Sequence, residues 1–155
     1  MSLYQRNHWQ KLLRFVRKMY PVYVSINNDR KDLKKFPTAV TLADSPRYLR
    51  RFQKYIRTGD ESLLKSYKYD PRGEHTICIL HNRHEHHYVL CAILIHEVGH
   101  AYMYSNFTPE CLSELPTLMI ENLAWNLGKS IVPKHFHPPE YIFNQVKEQA
   151  ISTYK

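Results

Sequence analysis

His96, Glu97 and His100 lie in the run Leu94-Ile95-His96-Glu97-Val98-Gly99-His100-Ala101, and their types and spacing suit hydrolysis at a zinc ion. On an α-helix the two histidines stand one turn apart, so both imidazoles project from one face and can close on a single Zn²⁺. Glu97 is about 100° round the helix from His96, within reach of a metal-bound water without ligating the ion. Zinc lowers the pKa of bound water toward about 7, and an adjacent carboxylate can take the proton as the nucleophile forms. The alternative for such a pair on a buried helix is two hydrogen-bonded core histidines, and the glutamate between them argues for metal.

The surrounding sequence supplies the helix. Tyr88-Val89-Leu90-Cys91-Ala92-Ile93-Leu94-Ile95 is apolar and continues through the motif to Tyr104 without proline. Gly99 is its weak helix former and leaves room on the surface beside His100. A structural zinc site is closed by four protein ligands, whereas a catalytic one has three and an open position, so the third ligand matters. Thr108-Pro109 and Ser113-x-x-Pro116 offer helix starts, and the segment from about Glu114 to Ile131 reads as a helix ended near Pro133. Glu114, Leu118, Glu121 and Trp125 fall on one face of it. Glu121 is the preferred ligand because Ala124 allows close approach to a neighbouring helix, while Glu114 sits in a first turn where the helix dipole alone favours a carboxylate. His135 and His137 follow that helix and are the other candidates, as ligands, oxyanion donors or surface histidines of a Pro-rich loop.

Upstream elements read as support. Leu12, Leu13, Phe15, Val16 and Met19, interleaved with Arg14, Arg17 and Lys18, predict an amphipathic helix from Leu3 to Tyr20, stopped by Pro21. Strands are predicted at Val22–Ile26, Thr38–Leu42 and Thr76–Leu80, with a helix from Ser45-Pro46 to about Thr58-Gly59. Three strands gathered before the metal helices, with about four helices in all, predict an α+β domain whose H-E-x-x-H motif lies on a central helix.

The order Ile77-Cys78-Ile79-Leu80, a polar connection, a helix with His96-Glu97-x-x-His100, then Glu121-x-x-Ala124 and Ile131-Val132-Pro133 resembles the ImmA/IrrE metallopeptidases, small gluzincin-type zinc proteins common in bacteria, phages and mobile elements. The resemblance covers the second half of the chain. It implies a small zincin-like fold, with His96, His100 and Glu121 as zinc ligands and Glu97 as general base. It also implies a specific regulatory protein as substrate.

The 155 residues suit a single domain, with residues 1–75 as supporting helix, strands and basic helix and residues 76–155 as the zinc-binding half. No apolar run is long enough to span a membrane, and no signal-peptide centre is present, so a cytoplasmic protein is expected. Cys78, Cys91 and Cys111 form no C-x-x-C pair and are expected to be buried free thiols. The net charge of +8 is concentrated at Arg47, Arg50, Arg51, Lys54 and Arg57, interleaved with Tyr48 and Tyr55. That face suits nucleic acid or an acidic protein, and equally a solvated helix packed through its apolar residues. A non-catalytic, zinc-stabilised basic regulator or phage-encoded inhibitor is therefore the rival to a peptidase. His81, His84, His86 and His87 lack a carboxylate or cysteine framework and read as a polar loop before the zinc helix, with a second metal as the alternative.

Overall fold

The computed structural model describes residues 3–20, 22–27, 39–42, 75–80 and 86–154, together with positions 54, 58 and 60. The elements run in the order α1 (Leu3–Met19), β1 (Val22–Asn27), β2 (Ala39–Leu42), β3 (His75–Leu80), α2 (His87–Asn106), α3 (Pro109–Ser113), α4 (Thr117–Ile131), a 3-10 turn (Lys134–Phe136) and α5 (Glu140–Ser152).

Helix α2 is the centre of the molecule because it is apolar almost all round. Leu90, Cys91, Ala92, Leu94 and Ile95 have no exposed surface, and a helix buried on every side needs neighbours on every side. Helices α1, α4 and α5 and strands β2 and β3 supply them. His86 starts α2: its backbone is extended and its ring accepts a hydrogen bond from the Tyr88 amide, satisfying one of the orphan donors of the first turn. Helix α1 presents Trp9, Leu12, Leu13 and Val16 to the core at the three-to-four spacing. Arg17 and Lys18 in its last turn suit the negative end of the helix dipole, and Arg17 Nη2 donates to the Val24 carbonyl at 3.0 Å, tying α1 to β1. Tyr20 reaches across the fold, its hydroxyl donating to the Ile131 carbonyl at 3.0 Å, so one orphan acceptor at the end of α4 is satisfied.

The strands form a small mixed sheet in the order β1-β3-β2. β1 runs parallel to β3 with Val24 opposite Ile77, and β2 runs antiparallel to it with Val40 opposite Cys78. Val24, Ile77 and Ile79 are buried in the same core as α1 and α2.

Helix greatly outweighs strand among the described residues, and that weight corrects the expected α+β domain of a three-stranded sheet on about four helices. Five α-helices are found among the described residues, and the most extensive packing is helix on helix, between α2 and α4. Two features of the sequence hid this balance. The chain after Pro138-Pro139 forms α5, which seats Phe143 and Ile151 in the core, although a double proline reads as a loop. The segment expected as one helix from Glu114 is divided: Thr108 caps the short α3 by accepting from the Cys111 amide, and α4 begins only after Pro116. The expected helix from Ser45 to Gly59 lies outside the described residues except at Lys54 and Thr58. Both are exposed, and the Thr58 hydroxyl donates to the Lys54 carbonyl. No helix among the described residues is long and apolar enough to cross a membrane.

Core packing around α2 gives a stability prediction. Leu94→Ala, at a fully buried position, is expected to cost about 2–5 kcal/mol by lost transfer energy and cavity formation. Tyr141→Ala, at a side chain 73% exposed, should stay within about 0.5 kcal/mol. Urea denaturation of the metal-free protein measures both.

Candidate metal centre

The site is built where α2 and α4 come closest. A Cβ placed on Gly99 would overlap the Ala124 carbonyl oxygen, and one placed on Gly128 would overlap the Ile95 carbonyl oxygen. The two backbones therefore touch through glycine on each helix, with buried Ala124 between. This close approach is what lets a glutamate side chain on α4 reach histidines on α2. Gly99 thus clears space for the backbone of a second helix more than for a ligand. Gly128 is its counterpart, and the sequence offered no motif that singled it out.

One turn apart on α2, His96 and His100 bring their Nε2 atoms to 3.1 Å from each other. Glu121, one turn before Ala124 on α4, places Oε2 at 3.0 Å from His96 Nε2 and 3.3 Å from His100 Nε2. His96, His100 and Glu121 form a group that could hold a metal ion, with one ligand atom from each inside a 4.8 Å span, and no other such group of three occurs among the described residues. The arrangement fits a cation: two imidazole nitrogens at 3.1 Å satisfy each other poorly as hydrogen-bond partners, since both also face the same carboxylate oxygen. Donor types N, N and O are those of zinc sites.

Glu97 is outside that group. Its Oε1 is 4.0 Å from His96 Nε2, and the residue is only 5% exposed. It therefore stands beside the three ligand atoms, about 100° round the helix from His96, as the spacing predicts.

The electrostatics of the triad follow from burial and proximity. Burial raises the Glu121 carboxyl, but hydrogen bonds from His100 and His96 and their charges outweigh it and hold the pKa down at about 2. For His100 burial pulls downward, and the Glu121 hydrogen bond with the Glu97 and Glu121 charges more than reverses it, leaving the pKa above the ordinary value.

His96 is supported in an uncommon way. A ligating histidine usually donates its second ring N–H to a carboxylate or carbonyl, but His96 Nδ1 is buried without a hydrogen-bond partner among the described residues. Its ring instead lies flat on Trp125, centroids 4.2 Å apart and planes 18° from parallel. Trp125 is 1% exposed and is braced edge-on by Phe143 of α5. The sequence placed Trp125 on the Glu121 face of α4, which was the available signal for this contact. Burial, then the charges of Glu121 and Glu97, raise the pKa of the Tyr154 phenol. Nothing in the sequence pointed to it.

The other candidates are engaged elsewhere. Glu114 is exposed and ends α3. His135 is exposed and packs on Phe136. His137 pairs through Nε2 with the Val132 carbonyl at 2.7 Å, and burial pushes its pKa down. Of the upstream histidines, His86 is the cap of α2 and His87 its first residue, while His81 and His84 lie outside the described residues. Arg47, Arg50, Arg51 and Arg57 also lie outside them, as does the side chain of Cys78. Cys91 is buried and its thiol is pushed up to about 12, but Cys111 is exposed, which corrects the expectation of a buried thiol there. The short α3 turns that side chain outward.

The chain matches no protein-family model, no curated protein and no solved structure.

Two predictions come from this geometry. Gly99→Ala forces a methyl group into the Ala124 carbonyl, so it should destabilise by about 1–3 kcal/mol and weaken binding of added Zn²⁺ by displacing Glu121; titration calorimetry and thermal melting check this. The raised His100 pKa sets a pH dependence for the metal-free protein. Protonated His100 contributes stability fully below its ordinary value of 6.5 and loses it as pH rises through the raised value. Glu121 contributes above its ordinary 4.5 and loses that contribution only as pH falls toward about 2. The stability lead of the parent over His100→Gln should therefore shrink as pH rises above about 6.5 in chelator-treated samples, and thermal melts at a series of pH values measure it.

Proposed function

We propose that the protein is a zinc-dependent metallopeptidase of the ImmA/IrrE-like kind, hydrolysing a peptide bond in a specific regulatory protein. The observation that supports it best is the convergence of His96 Nε2, His100 Nε2 and Glu121 Oε2, with the Glu97 carboxylate beside them but outside the ligand group. Three ligands and a separate carboxylate are the composition of a catalytic site, since a structural one uses four ligands. Bound there, zinc supplies Lewis acidity, lowering the pKa of a water molecule and polarising a carbonyl.

The protein's own groups have distinct tasks. His96 and His100 hold the ion as neutral imidazoles through Nε2, which places the remaining proton of His96 on Nδ1, over Trp125. Glu121 brings a carboxylate that stays ionised down to about pH 2 and so offsets half of a divalent charge across the physiological range. Glu97 receives the proton of the attacking water at its carboxylate and delivers it to the departing amine. Its low exposure strengthens that exchange, because a carboxylate screened from bulk water interacts more strongly with nearby charge.

The separation of binding from proton transfer supplies the test. His96→Ala should lose stoichiometric zinc, whereas Glu97→Gln should fold and keep it. Cleavage by Glu97→Gln should drop about 10²- to 10⁴-fold. Mass spectrometry of protein termini in cells expressing the parent should show new ends that vanish with Glu97→Gln. Zinc-loaded Glu97→Gln with the full biological activity of the parent would reject the peptidase and favour a sequestering regulator.

A further inference from the structure

The imidazole of His96 is held by rings where a hydrogen bond would be usual. The torsion that turns a histidine ring about its Cβ–Cγ bond has only broad preferences, so a ligating nitrogen keeps its aim when something outside the ring fixes the plane. At most ligating histidines the second ring nitrogen does this through a carboxylate or carbonyl. His96 Nδ1 is buried with no hydrogen-bond partner among the described residues, so the shape of its neighbours fixes the plane. Trp125 lies flat against the ring at 4.2 Å and 18°, and the His100 ring meets it edge-on at 4.5 Å and 77°. Turning the His96 ring would press one edge into the indole and lift the other away, forfeiting dispersion contact in a close-packed interior.

The indole is itself immobilised. Trp125 is fully buried, and Phe143 of α5 meets it edge-on with centroids 5.4 Å apart at 85°. Phe143 is buried in turn, with the His137 ring stacked on it at 6.2 Å and the Lys129 ammonium 5.6 Å from its centroid. His137 Nε2 donates to the Val132 carbonyl at 2.7 Å, which fastens this row of rings to the end of α4. Glu121 and Trp125 are one turn apart on α4, so the helix that brings the carboxylate also brings the support for His96. We infer that Trp125 is a positioning residue of the metal centre, its indole, clamped by Phe143, replacing the hydrogen bond that would otherwise keep His96 Nε2 aimed at the ion. This inference rests on the reading of His96, His100 and Glu121 as metal ligands. It deepens that reading by making the aromatic contact between α4 and α5 part of the site.

Three variants test it. Trp125→Leu removes the flat support, Trp125→Phe restores a flat ring, and Leu12→Ala, at a fully buried position on α1, is a control for lost packing in general. The probes are Zn²⁺ alone in competition titration and Co²⁺ alone for its visible d–d absorption, both below the melting temperature of every variant. Trp125→Leu should lose about 10- to 100-fold in Zn²⁺ affinity and change the Co²⁺ spectrum. Trp125→Phe should recover most of the affinity and the parental spectrum, and Leu12→Ala should melt earlier while keeping both. Parental affinity and spectrum in Trp125→Leu would overturn the positioning role and leave the metal centre standing. Equal losses in Trp125→Leu and Trp125→Phe, or a Co²⁺ spectrum altered alike in Leu12→Ala, would overturn it too, because general packing would then account for the effect. Should Trp125→Leu fail to fold, Trp9→Phe decides, since it leaves Trp125 as the sole indole of the chain: Zn²⁺ should change its emission, and unchanged emission with the ion bound overturns the contact. Failure of the parent to bind either ion overturns the metal centre and this inference together.

Discussion

Everything at the candidate site depends on how closely α2 and α4 approach. Ordinary side chains at the contact would separate two helix axes by roughly 8–10 Å, and the glycines at 99 and 128 remove that spacer from both partners. Backbone then meets backbone, and Glu121, three residues before Ala124 and seven before Gly128, is carried to the histidines one turn apart on α2. The same contact buries Ile95, Ala124 and Trp125, so the packing that stabilises the helix pair is also the packing that assembles the ligand group. Loss of either function by a change at this seam is loss of both.

The constraint has an electrostatic side. His96 and Glu97 are the buried polar and charged side chains of the described core, at 8% and 5% exposure. Burial of such groups is costly unless they find partners. Glu121 provides one partner for both histidines, and the balance of pKa effects shows the mutual attraction exceeding desolvation at His100 and Glu121. His96 Nδ1 and Trp125 Nε1 remain buried without hydrogen bonds among the described residues, at a cost of about 1–3 kcal/mol for each such group. Their stacked rings answer this in part through dispersion and close packing. A flat aromatic support fixes the plane of the imidazole, while the hydrogen bond found at most ligating histidines would also fix its basicity.

The small mixed sheet and α1 serve the site at one remove. They close the faces of α2 that α4 and α5 leave uncovered, through Leu12, Val16, Val24, Ile77 and Ile79. Long-range polar ties reinforce this: Arg17 holds the start of the sheet, and Tyr20 holds the end of α4. A helix that must be apolar on all sides yet carry three polar residues in its centre needs such an enclosure, since water at any face would compete for the histidines.

Some of this was written in the chain. The spacing of His96, Glu97 and His100 and the proline-free apolar run around them determined a buried helix with two imidazoles on one side, because the 3.6-residue period leaves no other arrangement. Small Ala124 one turn beyond Glu121 marked that glutamate over Glu114, which proved to be exposed at the end of a separate short helix. The dominance of helix was not legible, because α5 follows two prolines and its amphipathic pattern is weak in isolation, acquiring a face only against α2 and α4. Gly128 entered the site through tertiary structure alone, whereas the sequence had put Trp125 on the Glu121 face and only the fold stacked it on His96. Local sequence sets which residues share a helix face; how near two faces come, and which side chain from a distant turn reaches across, is decided by close packing of the whole chain, which no spacing within one helix encodes.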